Sequence, residues 1–548
     1  VVFNGEIYNH QRLRRDLAGA GHTFRTRCDT EAIVHLYERD GVDFVHSLDG
    51  MFAVAVWDAT NRRLVLARDR LGQKPLVYWR SGERLAFASE LEALRRAGLP
   101  GEIDAAGLDE YLAFGAIHAP RTIYAAARKL EPASRLVFEN GGATVDRYWS
   151  IDPAIVRPRT ADEVRAMVER AVADRLMSDV PLGAFLSGGI DSSIVVASMA
   201  RASSDPVRTF SIGFGDPRYS ELPRAAAVAG RYKTRHREFV VEPDAAEIAP
   251  MLARRFGEPF GDSSAIPTYY VARAAAESVK VALSGDGGDE LFGGYERYAA
   301  LRLADRLGRW GLSGVLSSRP VLGALGRGGH PKSLRVAARR FLSSLRMDDA
   351  ERYFGYLALM SAADRRRLLR DDWRGRVTAG EVEGEFRRRF DAASGRDLLT
   401  RASLADILMY LPGDLLTKVD ICGMANSLEI RCPFLDHRLV EAALALPAAA
   451  KCRHWQGKRI LRRAFAAELP RAVTAGRKMG FAVPVGAWLR SSLQGWMREL
   501  LRGPSSLSGE LVEPKEVDRL IEEHVSGRKD RAAELWSLAM LELWMRGG

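Results

Sequence analysis

Cysteine is scarce in this sequence. Four occur in 548 residues, Cys28, Cys422, Cys432 and Cys452. They form no CxxC pair and no spacing with histidine that reads as a metal site, and so few thiols argue against a disulfide scaffold. A reducing, cytoplasmic setting with free thiols is the expectation. Long apolar runs are missing too. The best candidate, LVEAALALPAAA, contains Glu441 and Pro447, so no membrane span is expected, and no secretory leader opens the sequence. No G-x-x-x-x-G-K-[ST] loop occurs, which excludes the Walker A mode of holding nucleotide. Acidic residues fall short of basic ones, 70 against 81, for a net charge of +11. The basic runs RRRLLR (365–370) and RRRF (387–390) are mixed with Leu, Phe and acids, with no interleaved aromatic platform. They read as amphipathic helices, and nucleic acid is not expected as a partner.

The length exceeds one ordinary core and implies two domains or more. Residues 1–148 are β-rich. MFAVAVWD (51–58) and RRLVLARD (62–69) flank Thr60-Asn61 as a hairpin, and LAFASE (85–90) is a further strand. Short helices are predicted near 11–17 and 31–39, with Asn9 and Asp29 or Thr30 as N-caps. The opening VVFNGEIYN reads as a strand running into an Asn-Gly turn. Residues 149–160 form a proline-bearing linker. A capping box, Thr160 to Glu163, then starts a helix, with Val164, Met167, Val168, Ala171, Val172 and Leu176 at helical spacing. From there to 548, apolar strands alternate with helices and then give way to helix. That pattern predicts a parallel α/β sheet with a helical C-terminal part.

Two loops carry chemistry. In SGGIDSS (187–193) an apolar strand meets a helix through a Gly-Gly turn, so successive N–H groups and the positive helix end suit an anion. Asp191 in that loop could hold Mg²⁺ against phosphate. SGDGGDE (284–290) follows a second apolar strand, where open α/β sheets bind ligands. It crowds Asp286, Asp289 and Glu290, an arrangement that calls for a cation or a substrate amine. In NGEIYN (4–9), the Gly5 N–H and the Asn4 amide could form a two-donor oxyanion hole, with Glu6 facing a substrate ammonium. Taken alone, that stretch is an ordinary turn signal.

NGEIYN, RDRLGQKPL (68–76), ASELEAL (88–94), SGGIDSS, SGDGGDELFGGYERY (284–298), KVDICGMANSLEIRCPFLDH (418–437) and RKMGF (477–481) resemble, in order, the motifs of glutamine-hydrolysing asparagine synthetases. The resemblance covers nearly the whole sequence. It implies an α-β-β-α N-terminal nucleophile glutaminase domain (1–148) and an ATP-pyrophosphatase domain (161–548). The substrates would be aspartate, ATP with Mg²⁺, and glutamine or ammonia, and a homodimer is the assembly it allows. By the same resemblance, Asn4, Gly5, Glu6 and Asp29 hold glutamine. Leu186, Ser187, Gly188, Gly189, Asp191, Ser192, Ile212, Ser284 and Gly285 hold ATP. Asp191 and Asp289 bind Mg²⁺, Asp286 and Lys458 are catalytic, and Glu429 and Arg431, in a helical lid stretch, orient aspartate. Val77 and Gly423 depart from the family pattern, and both read as local packing changes.

The family's nucleophile is a leading Cys whose own α-amine acts as base. That Cys and the Arg that grips glutamine's carboxylate belong upstream of NGEIYN. The expectation is a family member without its N-terminal segment, forming asparagine from ammonium rather than from glutamine. Rival readings are a sister enzyme on another carboxylic acid (a β-lactam synthetase, a peptide cyclase, or an amidating enzyme of a surface polymer or secondary metabolite), a nucleic-acid-modifying pyrophosphatase, and a non-catalytic binding protein.

Overall fold

The computed structural model describes residues 1–214, 221–241, 244–324, 334–476 and 483–547; the motif RKMGF lies outside them. Its first part is layered. Strands β1 (Val2–Ile7), β2 (Gly50–Asp58), β3 (Arg63–Arg68), β7 (Ser134–Glu139) and β8 (Gly142–Arg147) form an antiparallel sheet in that order. A second sheet runs β5 (Arg84–Ala88), β4 (Val77–Ser81), β6 (Ala127–Lys129). Helices α1 (His10–Gly19) and α2 (Asp29–Asp40) bury Leu13, Leu17, Ile33 and Leu36 on one face of the first sheet, against Phe52, Val54 and Val56. The alternate residues Ala53 and Ala55, with Leu66 and Leu136, fill the space between the sheets with Leu76 and Leu130. Period-two alternation thus gives each strand two apolar faces, one per layer. Helices α3 (Leu91–Arg96) and α4 (Ala105–Phe114) cover the second sheet, completing α-β-β-α.

The predicted hairpin is present, with Asp58 opposite Arg63. The Asn4-Gly5 turn is not. Both residues lie inside β1, paired with Ala53 and Phe52, and the chain turns only at Tyr8-Asn9. Gly5 is needed for close approach instead: at φ +148°, a Cβ there would lie 2.0 Å from the Met51 carbonyl oxygen. The caps also differ. Asn9 stands at the N-cap of α1, but its amide bonds Ser47 and Asp49 across the loop. Cys28 occupies the N-cap of α2, and Asp29 is its first helical residue.

Residues 148–160 contain no helix or strand. Helix α5 (Ala161–Asp174) opens on the predicted capping box, with Thr160 and Glu163 each bonding the other's backbone N–H. Val164, Val168, Ala171 and Val172 are buried, Met167 is half-buried, and Leu176 lies past the helix end. The second sheet system is wholly parallel, in the order β11 (Arg235–Val241), β10 (Arg208–Phe214), β9 (Leu182–Phe185), β12 (Val281–Leu283), β13 (Glu429–Arg431). Helices α6 (Ile190–Ala202), α7 (Leu222–Tyr232), α8 (Ala245–Phe256) and α9 (Ala265–Ala276) intervene, and helices dominate after α10 (Gly288–Phe292). Among the described residues, no helix is long and apolar enough to cross a membrane.

The two parts share a core. One apolar cluster joins Leu108, Tyr111 and Leu112 of α4 to Leu252 and Phe256 of α8 and to Leu535 and Trp536 of the C-terminal helix Ala532–Gly547. Tyr111 Oη donates to the Ser537 carbonyl at 2.6 Å, and Asp109 pairs with the buried Arg365 at 2.7 Å.

Candidate functional site

Both glycine loops follow neighbouring strands, so the parallel order β9-β12 brings them side by side. SGGIDSS runs from β9 into α6, with Gly188 at φ +76°, and the Ser187 hydroxyl accepts the Gly189 N–H at 3.2 Å. SGDGGDE runs from β12 into α10, where Ser284 Oγ donates to the Asp286 carboxylate at 2.6 Å. Leu186, Ser187, Gly189, Asp191, Ser192, Ile212, Ser284, Gly285, Asp286 and Asp289 line one cavity of about 430 Å³. A second, of about 790 Å³, shares Ser187, Gly189, Asp191 and Asp289 and adds Gly188, Lys458 and Arg462. Nine of the ten residues expected to hold nucleotide and metal thus line the first space together with Asp286, and Gly188 lines the second.

Lys458 sits between the loops. Its ammonium bonds Asp191 and lies 2.5 Å from Asp289. Burial opposes its charge, but the two carboxylates outweigh that and raise its pKa, so it remains a cation. The approach depends on glycine. A Cβ on Gly294 would fall 1.8 Å from Asp289 Oδ1 and 2.4 Å from Lys458 Cε, so the second Gly of ELFGGY gives both side chains their room. Asp286 is half-buried at the cavity wall, and its loss of hydration raises its carboxyl above the ordinary range against the opposing Ser284 hydrogen bond and Lys418 charge.

Three lining groups escape sequence reasoning. Lys418 Nζ bonds Asp262 at 2.6 Å and Ser264 at 2.7 Å, and Tyr410 stands on the same wall. Burial works against the Asp262 carboxylate, yet Lys418 and Ser264 bring its pKa down to about 2. Lys418 opens the quoted KVDICGMAN motif, which was a usable signal. Asp262 lies in a loop with no periodicity and gave none.

The residues expected at glutamine lie in the first part of the fold. Asn4 and Glu6 are in β1, and the Asn4 amide is 3.4 Å from Ser89 Oγ. Asp29 accepts the Ile7 N–H at 3.0 Å, tying α2 to β1. Glu6 accepts from Arg431 at 2.9 Å; burial raises its pKa to about 7 against that cation.

Glu429 and Arg431 depart from expectation. They form edge strand β13, not a helical lid, and neither lines the cavities of the glycine loops. The Arg431 carbonyl accepts the Ser284 N–H at 2.9 Å, while its guanidinium turns away to Glu6, Glu429 and the Met177 and Arg175 carbonyls. Strand alternation explains this: the backbone serves the sheet while the side chain faces the first domain. The two departures from the family pattern sit in tight packing. Val77 is buried in β4, and a Cβ on Gly423 would lie 2.7 Å from the Leu428 carbonyl oxygen.

Residues 163–546 match the family model described as asparagine synthase, and residues 1–149 match that of a glutamine amidotransferase domain. The chain is 32% identical over 552 residues to glutamine-hydrolysing asparagine synthetase 1 of Bacillus subtilis (strain 168), covering 99% of this chain and 85% of that protein. It is 28% identical over 559 residues to glutamine-hydrolysing asparagine synthetase 3 of the same organism, covering 96% and 83%. A match over most of the chain, together with paired glycine loops on one parallel sheet, shows that it belongs to the asparagine synthase family.

Proposed function

We propose that the protein is an asparagine synthetase, converting aspartate, ATP and glutamine-derived or free ammonia to asparagine, AMP and pyrophosphate. The observation that carries this reading is the placement of Lys458 between Asp191 and Asp289, where the two glycine loops meet. In this reading residues 1–148 are the glutaminase domain, 149–160 the linker and 161–548 the synthetase domain, and the enzyme works in the cytoplasm.

The SGGIDSS N–H groups and the start of α6 hold the β- and γ-phosphates, and Leu186 and Ile212 flank the base. Asp191 and Asp289 converge on one cation and offer only hard oxygen donors, a set that fits Mg²⁺. The ion would neutralise phosphate charge as pyrophosphate departs. A side-chain carboxylate oxygen of aspartate attacks the α-phosphorus, the bond to the β-phosphate bridging oxygen breaks, and pyrophosphate leaves with that electron pair. Lys458 stabilises the charge gathering on the phosphoryl oxygens, and Asp286 positions the acceptor. Ammonia then attacks the acyl carbon of the β-aspartyl-adenylate, a proton is lost and AMP leaves. On the glutamine side, the Ile7 N–H points outward from β1 to Asp29, whereas Tyr8 donates inward to Asp49. Ladder alternation therefore directs the Gly5 N–H, two residues earlier, to the same outer edge, where it and Asn4 serve as oxyanion donors. Glu6 and Asp29 receive the α-ammonium.

Pyrophosphate release with ATP, Mg²⁺ and ammonium, across a panel of carboxylic acids, tests the reading. Aspartate should be the best acceptor, and Lys458→Ala should lower turnover by roughly a hundredfold or more, the usual cost of losing one electrostatic stabiliser. A much better response to another acid would replace asparagine synthesis with a sister reaction. Near-normal turnover in Lys458→Ala would remove that residue from the mechanism.

A further inference from the structure

We propose a divalent-metal site of the zinc type at His22, His35 and Glu38, on the outer helical layer of the first domain. Among the described residues these three bring their ligand atoms within 4.8 Å of one another. His35 and Glu38 lie one turn apart on α2, on one face of the helix. His22 reaches in from the α1–α2 connection, anchored by its own N–H on the Leu17 carbonyl at 3.1 Å. One carboxylate oxygen, Glu38 Oε2, lies 2.8 Å from His35 Nδ1 and 3.4 Å from His22 Nδ1. The two imidazole rings stand 4.9 Å apart. Two imidazoles and a carboxylate are an established zinc donor set, with bonds of about 2.0–2.2 Å. A tetrahedral ion with such bonds spaces its ligands by roughly 3.3–3.5 Å; the Glu38–His22 separation already matches, and an ion would replace the direct His35–Glu38 hydrogen bond by moving the two groups slightly apart.

A second observation supports a ligand role for His35. On the far side of its ring, Nε2 faces the Glu31 carboxylate at 4.0 Å, just beyond direct hydrogen-bond reach. That carboxylate is itself fixed by the Arg25 and Thr26 N–H groups at 2.6 and 2.7 Å. A short closure of that gap on metal binding would put a carboxylate on the other ring nitrogen, the contact that sets the tautomer and orientation of a metal-bound histidine. Glu38 is 55% exposed while His22 and His35 are 21% and 15% exposed, so solvent can deliver the ion and fill a fourth position. Phe24 packs edge-on to the His35 ring at 4.7 Å and shields the inner side. The role is structural. An ion here ties the 20–28 connection to α2, whose first residue, Asp29, anchors the Ile7 N–H of β1. The elements of the synthetase cavity take no part.

Calorimetric titration of the full chain, stripped with chelator, with ZnCl₂ tests the site. Co²⁺ loading supplies a second readout through visible absorption bands of tetrahedral coordination. His22→Gln/His35→Gln should lose one equivalent of Zn²⁺ and the Co²⁺ bands, while keeping the wild-type circular dichroism in chelator. Cys28→Ser and His10→Gln should lose neither. Glu31→Gln should weaken binding by about 10- to 100-fold, as expected for a group that only orients a ligand. Zn²⁺ should raise the Tm of the wild type in proportion to its saturation and leave the double variant unmoved. Equal Zn²⁺ stoichiometry and equal Co²⁺ spectra in wild type and double variant would overturn the proposal, as would the absence of saturable binding in the wild type.

Discussion

Lys451 is fully enclosed, and its ammonium has no hydrogen-bond partner among the described residues. Burial lowers its pKa from 10.5 to about 8, with Asp397 opposing. A lysine whose folded pKa is depressed destabilises the fold wherever it is charged in both states, which is below pH 8. Between pH 8 and 10.5 the unfolded chain binds the extra proton, so stability rises with pH across that window. Lys451→Met should therefore stabilise the protein at pH 7, by on the order of 3 kcal/mol from the size of the shift. The advantage should shrink as pH approaches 10.5. Thermal denaturation of both proteins at pH 7 and pH 10 measures it, and a gap that does not narrow would rule out this origin. At the same scale, Arg431 was read toward aspartate, and in the fold its guanidinium reaches Glu6, 425 positions away.

Local signals served well for elements. The Thr160 box, the β2–β3 hairpin and both strand–glycine–helix units are contiguous patterns, and contiguous patterns determine local backbone geometry. Thr160→Ala removes one of two reciprocal caps on α5 and should cost about 1 kcal/mol. Urea denaturation checks this, and Glu163→Gln, which keeps an acceptor, should cost less. Two elements were misread for one reason. The Asn4-Gly5 pair carries a turn signal, yet the β2 ladder holds it extended. Glu429–Arg431 follows a helix in sequence, yet pairs with β12 as a strand of three residues. Pairing with a distant strand overrides local propensity, and no window of neighbouring residues contains that partner.

Across the whole molecule, the two parts are joined by more than a linker. Arg365, 2% exposed in its side chain, makes a two-pronged contact with Asp109 of α4 and also reaches Glu383. Lys74 pairs with Asp420 at 2.8 Å across the same boundary. Removing Asp109 leaves the buried Arg365 with Glu383 as its one remaining carboxylate among the described residues, so Asp109→Ala should cost about 3 kcal/mol, the low end for breaking a buried pair. Because α4 shares its core with the C-terminal helix, the loss should appear as a lower urea midpoint for both parts together. A variant in which only one part melts early would show the shared core to be weak. The sequence by itself determined a β-rich first part, a parallel sheet after it and two glycine loops at its strand ends, because each rests on short patterns whose backbone geometry follows from neighbouring residues; the α-β-β-α layering came from the family resemblance. Only the tertiary structure decided that Lys458 stands between Asp191 and Asp289, that Lys418 meets Asp262, and that α4 belongs to a core shared with the chain's last helix. Those contacts join residues 156 or more positions apart, and their partners are chosen by burial and charge compensation in the packed state rather than by spacing along the chain.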